Sequence, residues 1–178
     1  DYVATVVRVA MEGEKDIAPD CKQPKPVDRV GFRVVHMPVW GGAPYPTGGE
    51  WVDQLKIDRC GTPVVHNVVF TARADGFPQI RLGMPGETAL SPRLQVTVLP
   101  DVLKAGAAAL KCKEVGKAVV SNTALNKVIE QPTANPHGVV VSGRWVETWT
   151  VRACNKTTPV VMELVSDGQG GAKHRITK

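Results

Sequence analysis

Two acidic residues stand at matching places in two similar segments of the chain. Asp53 lies in GEWVDQLKIDRC at 49–60, and Glu147 lies in GRWVETWTVRAC at 143–154. Two carboxylates that converge on one site can act as acid and base, or as acid and nucleophile, on a glycosidic bond. Each acid can instead brace its own segment, because a buried carboxylate must meet a cation, an indole N–H or water. The sequence favours the brace, since a duplicated structural motif explains both acids without requiring them to meet.

Both segments alternate in a way that is typical of β-strands. In the second copy Trp145, Glu147 and Trp149 share one face, and Val146 and Thr148 share the other. An exposed face of tryptophan and acid would suit recognition of a sugar or a partner strand, because indole supplies apolar area together with an N–H donor.

A Gly/Pro-rich loop, VWGGAPYPTGGEW, is the predicted binding loop, because Trp40 and Tyr45 flank it. The full set of candidate binding residues is Trp40, Tyr45, Trp51, Asp53, Trp145, Glu147 and Trp149.

Other kinds of catalytic or metal site have little support. His36-Met37 beside His66 offers imidazole and thioether ligands of the kind that copper takes, but the spacing is not specific. The chain has no GxSxG motif, and its glycine-rich loop lacks the Lys-Ser/Thr of a P-loop. We therefore predict a protein that is not an enzyme and that has no cofactor and no metal site.

The similarity of the two segments extends over two halves. Trp51 matches Trp145 and Cys60 matches Cys154 without a gap, and TPVV at 62–65 returns at 158–161 after an apparent insertion of two residues. Self-similarity of this kind indicates an internal duplication. We predict two halves, 1–86 and 87–178, joined by a hinge in GMPGETALSP at 83–92.

The chain has four cysteines, none of them in a CxxC pair. Three disulfide pairings are open, and if each half is an autonomous unit the equivalent ones are Cys21–Cys60 and Cys112–Cys154. Disulfides favour an oxidising compartment, which means the periplasm or the cell exterior. A zinc site is poorly supported, because the cysteines are isolated and have no histidine at ligand spacing.

The predicted fold class is α+β and β-rich, with two related halves of antiparallel strands and one clear helix near 101–113. In that helix Asp101 is the expected N-cap and Gly116 the expected stop. The motif segments are predicted to form hairpins, and a helix beside Cys21 is doubtful because prolines surround it. Further strands are predicted at 3–10, 30–37, 78–82, 93–99, 117–124 and 172–177.

The formal charge of +5 and the pI near 9.1 favour anionic partners, although the basic residues are scattered. Without aromatic residues interleaved among the basic ones, nucleic-acid binding is not expected. No apolar run approaches the roughly 20 residues that cross a bilayer, so the chain is predicted not to be transmembrane. The sequence begins at Asp1 without an export segment, as expected of a processed or trimmed chain.

The second half resembles a family of uncharacterised bacterial exported proteins, periplasmic or secreted. The resemblance rests on SNTAL at 121–125, on GRWVETWTVRAC, which follows the pattern Trp-x-Glu-x-Trp-x-Val-x-x-Cys, and on DGQGG at 167–171. It implies export and brings no activity. Such proteins tend to carry Cys-Gly, where this half has Cys154-Asn155 and the first half has Cys60-Gly61.

Three function hypotheses follow. The leading one is a non-catalytic binding or adaptor protein of the cell envelope that engages another protein or a glycan. The second is an inhibitor or immunity-type protein that inserts the loop at 41–49 into an enzyme. The third is a glycan hydrolase that uses Asp53 and Glu147.

Overall fold

The computed structural model of the chain describes residues 1–42, 44–135 and 140–177. Two compact units divide the chain between Gly83 and Met84. Unit 1 is Asp1–Gly83, and unit 2 contains Met84–Asn135 and residues 140–177.

Each unit is a helix followed by a four-stranded antiparallel sheet whose strands neighbour one another in chain order. The elements of unit 1 are α1 (Tyr2–Ile17), β1 (Lys25–Val39), β2 (Gly48–Arg59), β3 (Thr62–Thr71) and β4 (Gln79–Leu82). The elements of unit 2 are α2 (Pro92–Ala109), a single 3-10 turn (Val115–Lys117), β5 (Val119–Ala134), β6 (Val140–Ala153), β7 (Lys156–Ser166) and β8 (Ala172–Thr177). The predicted fold class is thus confirmed, since the protein is α+β and β-rich with two similar halves.

The central hairpin of each unit turns in two residues. Cys60-Gly61 and Cys154-Asn155 all have positive φ, as a type I′ turn requires. The strand partners next to the turn are Arg59 with Thr62 in unit 1 and Ala153 with Lys156 in unit 2. Because the two turns have equal length, the expected insertion of two residues after the cysteine is wrong. Counted from the turn, TPVV instead begins two residues later on β7 than on β3. A shift of two residues keeps every side chain on the same face of the sheet, which is why the pattern tolerates it.

A close approach between neighbouring strands also recurs in both units. Gly49 and Gly143 have φ of 109° and 128°, and a Cβ on either would lie within 2.7 Å of the Cα of Pro38 or Pro132 respectively. Only glycine fits such a position without moving the backbone. The repeat of this Gly/Pro pair at the same spacing supports the duplication.

The predicted strand at 3–10 is wrong, because these residues belong to α1. Val6, Ala10, Glu14 and Ile17 are buried at spacings of three and four, which is the period of one helix face. The valine-rich composition pointed to a strand, but burial against the sheet outweighs the modest helix propensity of valine.

The predicted strand at 93–99 is also wrong, because these residues belong to α2. The predicted helix at 101–113 overlaps the second half of α2, which begins at Pro92 and ends at Ala109. Ser91 is the N-cap and its side chain accepts a hydrogen bond from the backbone N–H of Leu94. Pro100 lies inside the helix and has no N–H to donate to the carbonyl of Val96 one turn earlier. Val96 is 58% exposed. Pro100 therefore does not mark the helix start that it suggested.

The other strand predictions are confirmed, and the halves are closed as expected. Segments 30–37, 78–82, 117–124 and 172–177 fall largely in β1, β4, β5 and β8. Disulfides join Cys21 to Cys60 and Cys112 to Cys154 within the two units. Each one ties the chain just after the helix to the tip of the central hairpin. Neither described helix is long and apolar enough to cross a membrane.

The segment between Met84 and Ser91 packs inside unit 2. Thr123 on β5 binds it through its backbone N–H and its hydroxyl, which both donate to the carbonyl of Pro85 at 2.7 and 2.8 Å. Thr88 and Leu90 are buried, at 9% and 0% exposure. Most of the Gly/Pro-rich stretch that was interpreted as a hinge is thus a packed part of one unit, and it places Thr88 against β6.

Candidate functional site

Glu147 lies in the core of unit 2 and is fully buried. Its carboxylate accepts hydrogen bonds from the indole Nε1–H groups of Trp145 and Trp149, both at 2.8 Å. The Thr88 hydroxyl donates at 2.8 Å and the backbone N–H of Ala89 at 2.9 Å. All four donor groups are neutral, so the carboxylate is held without an ion pair. Both tryptophans lie on the same strand as Glu147, two residues before and after it. Alternate residues of a strand share a face, so the three side chains meet on one side of the sheet.

Asp53 occupies the matching place in unit 1 and is also fully buried, but its partner is a cation. Arg29 on β1 donates to both carboxylate oxygens, from Nε at 3.0 Å and from Nη2 at 2.6 Å. The Arg29 side chain is 40% exposed, so one side of the guanidinium remains in water. The Asp53 carboxylate raises the pKa of Arg29 through this hydrogen-bonded ion pair.

Tyr2 and Trp51 complete the surroundings of Asp53. The indole N–H of Trp51 donates to the Tyr2 hydroxyl at 3.1 Å, and the rings of both residues stack on Phe70. Burial, reinforced by the nearby Asp53 carboxylate, raises the pKa of Tyr2 to about 12. The phenol therefore stays neutral at physiological pH, and Trp51 has a different acceptor from its counterpart Trp145.

Strand register explains why the two acids have different partners. Arg29 lies opposite Leu55 on β2, and Thr123 lies opposite Trp149 on β6. The side chain of Leu55 has no N–H to donate to Asp53, and Arg29 supplies two donors from the neighbouring strand. In unit 2, Trp149 supplies a donor to Glu147, and the position on β5 that corresponds to Arg29 is occupied by Thr123.

The five candidate residues on the central strands are all buried. Trp51, Asp53, Trp145, Glu147 and Trp149 have exposures of 7%, 0%, 1%, 0% and 0%. Their polar atoms bond inside their own units, so the interpretation of them as an exposed binding face is corrected to a structural one. The hydrolase hypothesis loses its main support, because each carboxylate is buried and already bonded.

Unit 1 contains a second buried acid that the sequence did not single out. Glu14 on α1 is fully buried, and Arg59 binds both of its oxygens, at 2.8 Å in the bond from Nη2. His66 Nε2 shares a 2.5 Å hydrogen bond with the same carboxylate. Burial acts to raise the pKa of Glu14, but His66 and Arg59 outweigh it and the pKa is lowered. A charged residue in the apolar stripe of a helix is the signal that identifies Glu14.

The copper hypothesis does not fit this arrangement. His66 is fully buried and engaged with Glu14, whereas His36 and Met37 are exposed on β1. Among the described residues, no group of three or more His, Cys, Asp or Glu side chains has the geometry to hold a metal ion.

Trp40 and Tyr45 are the two candidate binding residues that face solvent, with exposures of 65% and 41%. They lie in the β1–β2 connection, and Phe77 in the β3–β4 connection at the same end of the sheet is 70% exposed. The rings of Tyr45 and Phe77 are in contact, with centroids 5.4 Å apart. We call Trp40, Tyr45 and Phe77 the aromatic cluster. Phe77 was missed from the sequence, although a phenylalanine in the turn sequence ADGFP has no buried strand face to occupy.

Unit 2 has no counterpart of this cluster. Its aromatic residues are Trp145 and Trp149, and both are in the core. A surface groove on unit 2 has a volume of about 430 Å³ and a charged lining, in which Arg144 and Arg175 are both paired with Glu163. The exposed aromatic surface of the described chain thus belongs to unit 1.

Comparison with known proteins gives no match, whether to protein-family models, to curated sequences or to solved structures.

Proposed function

We propose that the chain is a non-catalytic binding protein of the cell envelope that engages another protein through the aromatic cluster of unit 1. The observation that carries the proposal is the exposure of Trp40, Tyr45 and Phe77 at one end of a sheet in which Trp51 and Phe70 are buried. Three exposed aromatic side chains at one end of a small unit are costly to leave in water, and such patches mark interaction sites.

The cluster has the composition of a protein interface. Tyrosine, tryptophan, phenylalanine and methionine are enriched at the centres of such interfaces, and Met37 and Val39 just before Trp40 are 68% and 60% exposed. A glycan site needs polar groups that meet the sugar hydroxyls. Near the cluster, the Asp75 carboxylate is already paired with Arg73 at 2.9 Å.

The connection that carries Tyr45 is anchored at its base and beside Tyr45. Thr47 donates its backbone N–H to the carbonyl of Val39 at 2.8 Å, which closes the loop where the strands begin. Pro46 is buried, and the Tyr45 ring packs against Phe77. Anchoring reduces the entropy that is lost on binding, so the aromatic side chains are positioned before the partner arrives.

The two disulfides support placement in the envelope or outside the cell, because such bonds persist in oxidising compartments. The resemblance of unit 2 to exported bacterial proteins points the same way. Asp53 and Glu147 act as braces in this proposal, and neither takes part in catalysis.

Site-specific crosslinking tests the proposal. A photoreactive residue at position 40 or 77 of the oxidised protein is crosslinked in an envelope extract, the captured protein is identified, and its Kd for the purified chain is measured. We expect Trp40→Ala and Phe77→Ala each to raise the Kd about 30-fold, as for a central interface residue. Val96→Ala, on an exposed face of α2, is the matched control and leaves the Kd unchanged.

Two results would overturn the proposal. One is a partner whose Kd does not change with Trp40→Ala and Phe77→Ala. The other is capture of purified cell-wall glycan in place of protein, which would establish the glycan alternative. If the captured protein is an enzyme that the chain inhibits, the inhibitor hypothesis replaces the adaptor.

A further inference from the structure

The edge strand β1 carries a row of exposed apolar side chains. It is 15 residues long, and in the described part of unit 1 it pairs on one side only, with β2. The exposed apolar side chains between its two prolines, Pro26 and Pro38, are Val27 (57%), Val30 (49%), Phe32 (56%), Val34 (41%) and Met37 (68%). Edge strands of this kind are usually protected by charge, because their unpaired backbone groups can bind another strand.

The exposed apolar residues of β1 are arranged symmetrically about Phe32. Val30 and Val34 lie two positions before and after it, and Val27 and Met37 lie five positions before and after it. The change of interval from two to three occurs where β1 is bulged, and a bulge shifts the facing of the side chains. The shifts in register lie between Pro26 and Asp28, Arg29 and Gly31, Val34 and His36, and His36 and Val39.

A symmetric interface between two copies requires this kind of order, because residue i of one copy must meet residue j of the other and the reverse. We propose that β1 is the dimerisation strand of this protein, and that two copies pair antiparallel along it with the twofold axis at Phe32. In that register Val30 meets Val34, Val27 meets Met37, and Phe32 meets its own copy.

The charged residues fit the same register. Asp28 of one copy lies opposite His36 of the other, so an acid faces an imidazole and no like charges meet at these positions. Pro26 and Pro38 lack a backbone N–H and lie just outside the pairing segment, which limits it to 27–37. The partner is therefore a second copy of this chain, because β1 of one copy is complementary to β1 of the other.

The corresponding edge of unit 2 lacks this order. The described part of β5 exposes Val128 and Ile129 as its large apolar residues, at 40% and 43%. These two are adjacent in sequence and have no symmetric counterparts along the strand. β5 therefore provides a matched control surface for the test.

Sedimentation equilibrium of the oxidised protein over a range of concentrations measures the association. We expect a monomer–dimer equilibrium whose dissociation constant rises at least about 30-fold with Phe32→Glu, since the substitution brings two carboxylates together on the axis. Val128→Glu on β5 leaves the constant unchanged. Circular dichroism verifies that both variants keep the fold.

The register itself is tested by a charge pair within one chain. Val30→Lys and Val34→Glu each weaken the dimer alone, because each places one charge against a valine of the other copy. Together they restore association, because each new cation then faces a new anion across the twofold.

A protein that is monomeric at all concentrations overturns the proposal. It is also overturned by a dimer that tolerates Phe32→Glu, or by a double variant that associates no better than the single ones. The dimer does not depend on the aromatic cluster, so Trp40→Ala and Phe77→Ala leave it intact, and failure of either proposal is recognised without the other.

Discussion

Asp53 and Glu147 hold the same position on the central strands of two related units, but different chemistry stabilises them. Arg29 neutralises Asp53 with two hydrogen bonds from the neighbouring strand. Glu147 has only neutral donors, of which two are indoles of its own strand. In both units the buried carboxylate must receive hydrogen bonds, but the donors that supply them differ between the units.

The surfaces of the two units differ as their cores do. Unit 1 exposes Trp40, Phe32 and Phe77, whereas both aromatic side chains of unit 2 are in the core. Both units retain the structural motif, and in the proposed function unit 1 carries the contacts to other molecules. The predictions below test the difference between the two cores, and the variant expected to lose the most stability comes first.

Replacement of Glu147 by leucine removes the acceptor of several buried donors. We expect Glu147→Leu to lower the free energy of unfolding by about 4 to 5 kcal/mol, because each buried donor left without a partner costs about 1–3 kcal/mol. Urea unfolding, followed by hydrogen exchange of the β6 amides, measures the loss. Glu130→Gln on the exposed part of β5 is the control and should lose little stability. A loss for Glu147→Leu that is no larger than the loss for this control would contradict the role of Glu147 as a brace.

Removal of either disulfide affects the two units alike. The bonds span 39 and 42 residues, and chain entropy then predicts a loss of about 4 kcal/mol for Cys21→Ser/Cys60→Ser and for Cys112→Ser/Cys154→Ser. Urea unfolding of the paired variants measures each loss. A difference of more than about 2 kcal/mol between the two would show that the units do not depend on their crosslinks in the same way.

Removal of the cation leaves Asp53 buried without its partner. We expect Arg29→Met to lower the free energy of unfolding by about 2 to 3 kcal/mol, less than for a fully buried pair because water reaches the guanidinium. Asp53→Leu in the same chain should recover most of the loss. If the double variant is as unstable as Arg29→Met, the ion pair is not the source of the effect.

Some of this organisation is predictable from the sequence because it is local. The hairpins follow from alternating segments joined by a short turn, and the disulfides follow from similar cysteine spacings, 39 and 42 residues, in the two copies. The helices were harder to predict, because α1 is rich in β-branched residues and has Glu14 in its apolar stripe, and because α2 contains Pro100.

The partners of the buried acids could not be predicted by the same means. Arg29 is 24 residues from Asp53, and Thr88 is 59 residues from Glu147. No periodic pattern connects such distant positions, and only the register between strands and the path of the 84–91 segment bring them together. The sequence predicted that each acid needs a donor, but not which one.

The acid stability of unit 1 should depend on Glu14, although this is the smallest of the expected effects. Its pKa is lowered from the ordinary 4.5 in the folded state, so its stabilising contribution is present above that value and is lost as the pH falls through the lower folded pKa. The stability difference between the natural chain and Glu14→Gln should therefore shrink as the pH falls below about 4.5. Unfolding at a series of pH values measures it, with the exposed Glu12→Gln as control. A difference that is constant with pH would rule out this role of Glu14.

Hydrogen exchange of the four indole N–H groups, followed by NMR, measures whether Glu147 holds the two tryptophans of unit 2. Trp40 is exposed and should exchange fast, while Trp145 and Trp149, bound to Glu147, should be protected. Glu147→Gln should then shift the NMR signals of the Trp145 and Trp149 indole N–H groups and raise their exchange rates. The signal and the exchange rate of Trp51 should stay unchanged. Fast exchange of Trp145 and Trp149 in the natural chain, at the rate of Trp40, would contradict the account of Glu147 as a brace.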